Sequence, residues 1–172
     1  MNGLGLILPG MDPWPFEETY DAALSAGVGS ITGDRVYLMR MRRLNVAKLM
    51  TTLKISIGAN GSANFDLGYY TFDGTDYQRV AHTGSTAATA TSDLQSTALI
   101  AAYERQRGQD AWLAFHASNS SITVQRGSSV AAKSQSRMLI ATVTFATAPG
   151  LPATIAGGTV TASTTPIWIE AS

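Results

Sequence analysis

Apolar and polar residues alternate with a period of two along much of this chain, a pattern typical of β-strands with one buried face. Residues 49–57 show it most clearly. Two sets of side chains are predicted to point in opposite directions there: Leu49, Thr51, Leu53, Ile55 and Ile57 on one face, and Met50, Thr52, Lys54 and Ser56 on the other. One face is then core and the other solvent, as in an antiparallel sandwich.

A β-hairpin is predicted near the centre of the chain, in the run FDLGYYTFDGTDYQRVAHTG at residues 65–84. Aromatic and apolar residues lead into Asp73-Gly74, and a second aromatic-polar run leaves it. An Asp-Gly pair between two such runs favours a tight hairpin turn. Within the first strand, Gly68 predicts a bulge or the close approach of another backbone.

Other short runs bounded by turn residues predict further strands, at 34–41, 94–102, 111–117, 122–125, 138–146, 159–162 and 167–169. No helix of ordinary length, internal repeat or heptad pattern is indicated. The fold class predicted for residues 34–172 is therefore all-β, an antiparallel β-sandwich or jelly roll of about eight strands. Since residues 111–117 are apolar on both faces, we expect that strand to be shielded on both sides.

Residues 1–33 are expected to form an extended arm, because recurrent proline and glycine exclude long regular structure. Large apolar side chains in such an arm need a surface to lie on. The arm either wraps its own domain or docks on a neighbouring subunit. We favour docking, with Pro13, Trp14, Phe16 and Tyr20 as the residues that contact the partner.

The composition indicates assembly more than catalysis. Charged residues make up 14% of the chain, and the 12 basic residues balance the 12 acidic ones. A neutral, charge-poor surface argues against nucleic acid or an anionic membrane as the main partner, and it suits a protein covered by other subunits. No cysteine is present, so disulfides are excluded. We expect neither a secretion leader nor a membrane span, since no apolar run approaches about 20 residues.

The run LMTTLKISIGANGSANFDLGYYTFDG, followed by a polar loop and RGQDAWLAF, resembles accessory β-sandwich modules of tailed-bacteriophage virions. The shared features are an alternating strand, a glycine-containing loop, Leu-Gly-Tyr-Tyr before an Asp-Gly turn, and Gly-x-x-Ala-Trp-Leu-Ala-Phe at residues 108–115. The resemblance covers residues 34–126. It implies a head decoration, head fibre or minor tail protein, located in the virion after assembly in the host cytoplasm. Such a protein binds capsid or tail subunits and forms homo-oligomers, and virion geometry suggests a trimer.

Residues suited to catalysis or metal binding are few. His82 and His116 are the only histidines, and no nucleophile-elbow motif accompanies them. Asp73, Asp76 and Asp110 lie in predicted turns, where aspartate is expected to hydrogen-bond to the backbone. A calcium site at Asp73 and Asp76 is the minor alternative. We therefore expect no enzyme activity, no cofactor and no resident metal.

An alternative function is a glycan-binding receptor adhesin of a phage tail. Aromatic rings stack on the apolar faces of sugars, and Tyr69, Tyr70, Tyr77 and Trp112 are the candidates. This hypothesis requires at least one of them to be exposed, whereas aromatic residues on strands are more often core. The basic cluster Arg40, Arg42 and Arg43 is expected to be a solvated strand end or a salt-bridged rim, with a phosphate or acidic-glycan site as the alternative.

Overall fold

The computed structural model describes residues 17–18, 25–41, 43–127, 138–141, 150–163 and 167–172. These ranges contain fourteen strands and a 3-10 turn at Gly157–Thr159. In chain order the strands are β1 (Glu17–Glu18), β2 (Ser25–Ser30), β3 (Val36–Arg40), β4 (Lys48–Ala59), β5 (Asn64–Phe72), β6 (Asp76–His82), β7 (Thr86–Ala87), β8 (Asp93–Arg105), β9 (Trp112–Ala117), β10 (Thr123–Gly127), β11 (Met138–Ala141), β12 (Thr154–Ala156), β13 (Val160–Ala162) and β14 (Ile169–Ala171).

The strands form two antiparallel sheets that pack face to face, which confirms the predicted all-β sandwich. Sheet A has the order β1-β14-β4-β10-β2, with β8 also paired to β4. Sheet B has the order β12-β6-β5-β9-β3-β11-β13, with β7 also paired to β5. Its two outermost strands, β12 and β13, are joined directly through the 3-10 turn. Sheet B therefore curls into a nearly closed barrel.

This curl produces two hydrophobic cores. The main core lies between the sheets and includes Leu53, Ile55, Leu67 and Phe115. The second core lies on the other face of sheet B and has these members: Val36, Leu38, Tyr70, Tyr77, Trp112, Ala114, Ala141, Leu151 and Ile155. Every residue of β9 is buried because its side chains enter the two cores alternately. The prediction that this strand is shielded on both faces is confirmed.

The predicted face assignment of β4 is right for one part of the strand and wrong for the other. Leu53, Ile55 and Ile57 are buried as expected, but Leu49 is 59% exposed and Met50 is buried. The pairing with β8 shifts register between Met50 and Thr52, and this irregularity reverses the side-chain alternation. The sequence pattern does not reveal this interruption. Leu49 and Met50 are both apolar, so either of them could occupy the buried face.

The predicted central hairpin is confirmed. Strands β5 and β6 pair across Asp73-Gly74, where Gly74 adopts a φ of +107°. The Asp73 carboxylate accepts hydrogen bonds from the backbone N–H of Asp76 (2.8 Å) and Thr75 (2.9 Å). Gly68 has the predicted close approach: a Cβ there would lie 2.6 Å from the carbonyl oxygen of Ala81. The register irregularity of this pair follows one residue later, between residues 69 and 70.

The residues predicted to anchor the arm, Pro13, Trp14, Phe16 and Tyr20, lie outside the described residues. Within the range assigned to the arm, β1 pairs with β14 and β2 pairs with β10. Sheet A therefore includes strands from the segment that the sequence assigned to the arm. The second half of the strand predicted at 138–146 also lies outside the described residues.

Candidate functional site

The four aromatic residues predicted as a glycan platform do not provide an exposed ring. Tyr69, Tyr70, Tyr77 and Trp112 are all at most 8% exposed. Tyr69 lies in the main core, and the other three lie in the second core. The expectation that one of them is exposed is wrong. Tyr69 is buried between the two sheets, and the curl of sheet B covers the face that carries the other three.

The exposed aromatic residue in this region is Phe72, which the sequence reasoning did not select. Its side chain is 46% exposed, at the last position of β5. The ring packs on Tyr77, with ring centres 4.8 Å apart, and Tyr77 in turn meets Trp112 edge-on at 5.4 Å. A Cβ on Gly157 would lie 3.4 Å from the edge of the Phe72 ring. Phe72 is thus the outer member of a group of three packed aromatic rings, with Tyr77 and Trp112.

A group of three charged side chains lies beside these aromatic rings. Asp110 accepts hydrogen bonds from Arg43 Nη2 (2.7 Å), Arg43 Nε (3.0 Å) and Arg40 Nη2 (3.1 Å). These bonds, that of Arg43 foremost, lower the pKa of Asp110 to about 2. Arg40 also lies over Trp112, 6.0 Å from the ring centre. The expected salt-bridged rim is confirmed for Arg40 and Arg43, while Arg42 lies outside the described residues.

A polar cluster is buried elsewhere on the same face of sheet B. The carboxylate of Asp66 is fully buried and accepts three hydrogen bonds, from the Leu151 N–H (2.8 Å), the Thr83 hydroxyl (3.0 Å) and His82 Nδ1 (2.9 Å). Two further hydrogen bonds hold the segment that contains Leu151: Arg79 donates to the carbonyl of Leu151, and the Tyr70 hydroxyl donates to the carbonyl of Pro152. Burial raises the pKa of Tyr70 and keeps it a donor. Asp66 therefore fastens residues 150–152 over sheet B.

His116 lies beside this cluster and is 1% exposed. It pairs with Asp66 across strands β5 and β9. Within the described ranges, neither of its ring nitrogens has a hydrogen-bond partner. Burial lowers the pKa of His116, and the nearby charges of Asp34 and Asp66 offset part of that effect. The side chain is thus held neutral in an apolar setting.

The pairing of His82 with Asp66 has the form of the orienting half of a catalytic triad. Among the described residues, however, no serine or threonine hydroxyl is bonded to His82, and the Thr83 hydroxyl donates to Asp66 instead. No group of three or more His, Asp or Glu side chains suited to a metal is found in the same ranges. The Asp73 carboxylate, considered for calcium, is occupied by backbone donors and by Gln78 (3.0 Å).

An exposed apolar surface is present on sheet A. Strand β8 has thirteen residues, and among the strands of the described ranges it pairs with β4 alone. Ile100 is 69% exposed, Leu94 is 50% exposed, and the alanines at 98, 101 and 102 are exposed as well. The register shift opposite Thr51 places residues 99–102 in a bulge. In the sequence, the signal for this surface is the uncharged run between Asp93 and Glu104.

No protein-family model matches this chain, and no curated protein sequence matches it. The described residues also contain no helix with the length and apolar character that crossing a bilayer requires.

Proposed function

We propose that this chain is a non-enzymatic structural protein of a bacteriophage particle, a capsid decoration or an accessory head or tail protein. The phage setting rests on the resemblance of residues 34–126 to virion modules. The structural role is supported by one observation above all, the exposed apolar bulge of β8. The neutral, charge-poor composition points the same way.

The edge strand β8 lacks most of the protection that free monomers give to such strands. Soluble monomers protect long edge strands with charge, proline or a cover, because unpaired strands associate. The bulge in β8 gives some protection, but no charged residue lies between Asp93 and Glu104. Covering Ile100 and Leu94 with a partner would stabilise an assembly by about 25 cal/mol per Å² of apolar area removed from water. We therefore assign β8 as a surface that meets other copies of the chain or other virion subunits.

An aspartate at position 100 should weaken assembly. Ile100→Asp places a charge where the proposed interface is apolar, and an unpaired charge there disfavours burial. Native mass spectrometry should show an oligomer for the parent protein, a trimer by our expectation, and a shift toward monomer for the variant. Val46→Asp is the matched control, since Val46 is also an exposed apolar residue but lies before β4. A parent that stays monomeric, or equal masses for all three proteins, would refute the role of β8.

The arm is proposed as the second attachment point, through Pro13, Trp14, Phe16 and Tyr20. Removing residues 1–20 should lower occupancy on particles. The deletion also removes the two-residue strand β1, which pairs with β14 in sheet A, so the fold of the shortened protein is measured as well. Quantitative mass spectrometry of purified particles measures the occupancy, and circular dichroism measures the fold. Normal occupancy of the shortened protein would exclude an anchoring role for this segment.

A further inference from the structure

The turn at residues 60–63 joins β4 of sheet A to β5 of sheet B, and it begins with an Asn-Gly pair. We propose that Asn60 is a site of spontaneous covalent modification, at which the Gly61 nitrogen converts the side-chain amide through a cyclic imide into aspartate and isoaspartate. The inference is independent of the proposed structural function, because the reaction needs only this turn and water.

The reaction balances with the atoms of two residues and one molecule of water. The Gly61 nitrogen, having lost its proton to solvent base, attacks Asn60 Cγ, and the new C–N bond closes an imide ring. The C–N bond of the side-chain amide breaks, and its nitrogen takes up a proton and leaves as ammonia. Water then opens the ring. Attack at Cγ gives aspartate, whereas attack at the main-chain carbonyl carbon gives isoaspartate, in which the chain continues through Cγ.

The side-chain amide of Asn60 curves back along its own chain. Its Oδ1 accepts a hydrogen bond from the Ser62 N–H (3.4 Å), which closes a turn over the peptide bond between Asn60 and Gly61. Its Nδ2 donates a long hydrogen bond to the Thr91 hydroxyl (3.5 Å). Within the described ranges, no acceptor is bonded to the Gly61 N–H. The attacking nitrogen and its target carbon are therefore close and weakly held, and such proximity favours ring closure.

The hairpin pair Asp73-Gly74 could form the same imide, but its contacts oppose the reaction. The carboxylate accepts hydrogen bonds from two backbone N–H groups of the hairpin (2.8 and 2.9 Å) and from Gln78 (3.0 Å). These bonds, that of the Asp76 N–H foremost, lower the pKa of Asp73. The carboxyl group is then ionised, and an ionised carboxylate resists attack by a nucleophile. This pair is exposed while Asn60 is half-buried, so hydrogen bonding and not exposure distinguishes the two.

Asn119 is the matched comparison within the chain. Its Oδ1 accepts a hydrogen bond from the Ser121 N–H (2.9 Å), so it forms the same kind of turn, and its side chain is also half-buried. The next residue is Ser120, whose Cβ and hydroxyl crowd the backbone nitrogen that would attack. Gly61 has no Cβ and leaves its nitrogen open. We therefore expect Asn60 to react ahead of Asn119.

The products alter the turn in two ways. Each adds one negative charge to a chain whose 12 basic and 12 acidic residues balance. Isoaspartate also lengthens the main chain beside Gly61, where a Cβ would already lie 2.4 Å from the carbonyl carbon of Ser121. The Asn60 carbonyl, which accepts the Ala63 N–H (3.0 Å), becomes a carboxylate outside the main chain. We expect the joint between the two sheets to loosen, with faster amide hydrogen exchange at Ala63 in aged protein than in fresh protein.

The test is peptide mapping by mass spectrometry of the full chain stored at pH 8.5, with a urea-unfolded sample as the reference. Trypsin gives residues 55–79, which contain Asn60 and Asp73, and residues 108–126, which contain Asn119. Electron-transfer fragmentation separates aspartate from isoaspartate. We expect both products at Asn60, formed about tenfold faster than at Asn119 or more, which corresponds to a barrier lower by about 1.4 kcal/mol. Isoaspartate at Asp73 should accumulate more slowly than at Asn60.

Asn60→Gln is the variant that should abolish the reaction, since it keeps an amide but would have to close a larger ring. Asn119→Gln is the matched control and should leave the rate at Asn60 unchanged. The pair Asn2-Gly3 lies outside the described residues and in a separate tryptic peptide, residues 1–35, so its products do not enter the measurement. Three results would overturn the proposal: Asn60 stays intact in the folded chain while the unfolded chain reacts, Asn119 reacts as fast as Asn60, or Asp73 yields as much isoaspartate as Asn60.

Discussion

Asp66→Ala should lower the free energy of unfolding by roughly 3–5 kcal/mol, more than any surface substitution in this protein. The carboxylate is fully buried and receives three donors from two distant parts of the chain, the neighbours His82 and Thr83 and the N–H of Leu151. Removing it leaves the Leu151 N–H buried without its acceptor, at a cost of about 1–3 kcal/mol, and leaves the Thr83 hydroxyl with only the longer bond to the Gly84 carbonyl (3.2 Å). The loss of the buried interaction with His82 adds to this cost. Urea unfolding followed by fluorescence of Trp112, which lies in the adjoining second core, measures the change.

Two further variants separate the hydrogen-bonding role of Asp66 from the simple loss of a side chain. Asp66→Asn keeps the shape and one acceptor oxygen, so it should lose clearly less stability than the alanine variant. Asp93→Ala removes an exposed carboxylate and should change stability by less than about 0.5 kcal/mol. Equal losses for Asp66→Ala and Asp93→Ala would show that residues 150–152 are held by other contacts.

His116→Leu should raise stability at pH 7.5 by about 1–3 kcal/mol and flatten its dependence on acid. Both ring nitrogens of His116 are buried without partners in the described part of the chain, so a leucine removes two unsatisfied polar atoms. Replacing such groups with apolar ones is favourable when the shape fits. Urea unfolding of parent and variant between pH 7.5 and pH 5 measures both effects.

The direction of the pH effect follows from proton uptake. Burial lowers the pKa of His116 in the folded protein below the ordinary value of 6.5, so the unfolded chain binds more protons below pH 6.5. Stability that is present above pH 6.5 is therefore lost as the pH falls toward the lowered pKa. The groups that face His116 are Asp34 and Asp66, and their negative charges limit this loss.

His116→Gln serves as the control for the pH effect. It keeps a polar group but cannot titrate, so we expect the acid dependence to flatten without the gain in stability at pH 7.5. If the leucine variant is less stable than the parent and its pH dependence is unchanged, His116 has partners that compensate for its burial.

The local features of this fold were predictable because they depend on neighbouring residues. Period-two alternation located β4, and Asp73-Gly74 located the central hairpin, since the turn needs a residue that tolerates a positive φ. The apolar character of residues 111–117 on both faces indicated a doubly covered strand. For Arg40 and Arg43 the sequence left a solvated strand end and a salt-bridged rim open, and it did not identify Asp110 as their partner.

The features that depend on distant contacts were not predictable. Asp66 and Leu151 are 85 positions apart, and nothing near either residue indicates their hydrogen bond. The same closure of sheet B buries Tyr70, Tyr77 and Trp112, which the sequence offered as candidates for sugar stacking, whereas Phe72 was not selected. Phe72 differs from them only by its place at the end of β5, where the second core no longer covers the ring.

The place of residues 150–172 in the fold has a consequence for biosynthesis, because this stretch supplies β12 and β13 to one sheet and β14 to the other. Strand β4 pairs with β14 more than a hundred positions later. Neither layer can be completed on the ribosome until this stretch has emerged from the exit tunnel. We therefore expect the nascent chain to need protection by chaperones until residues 150–172 have emerged, and to mature slowly, as proteins dominated by distant strand pairing do.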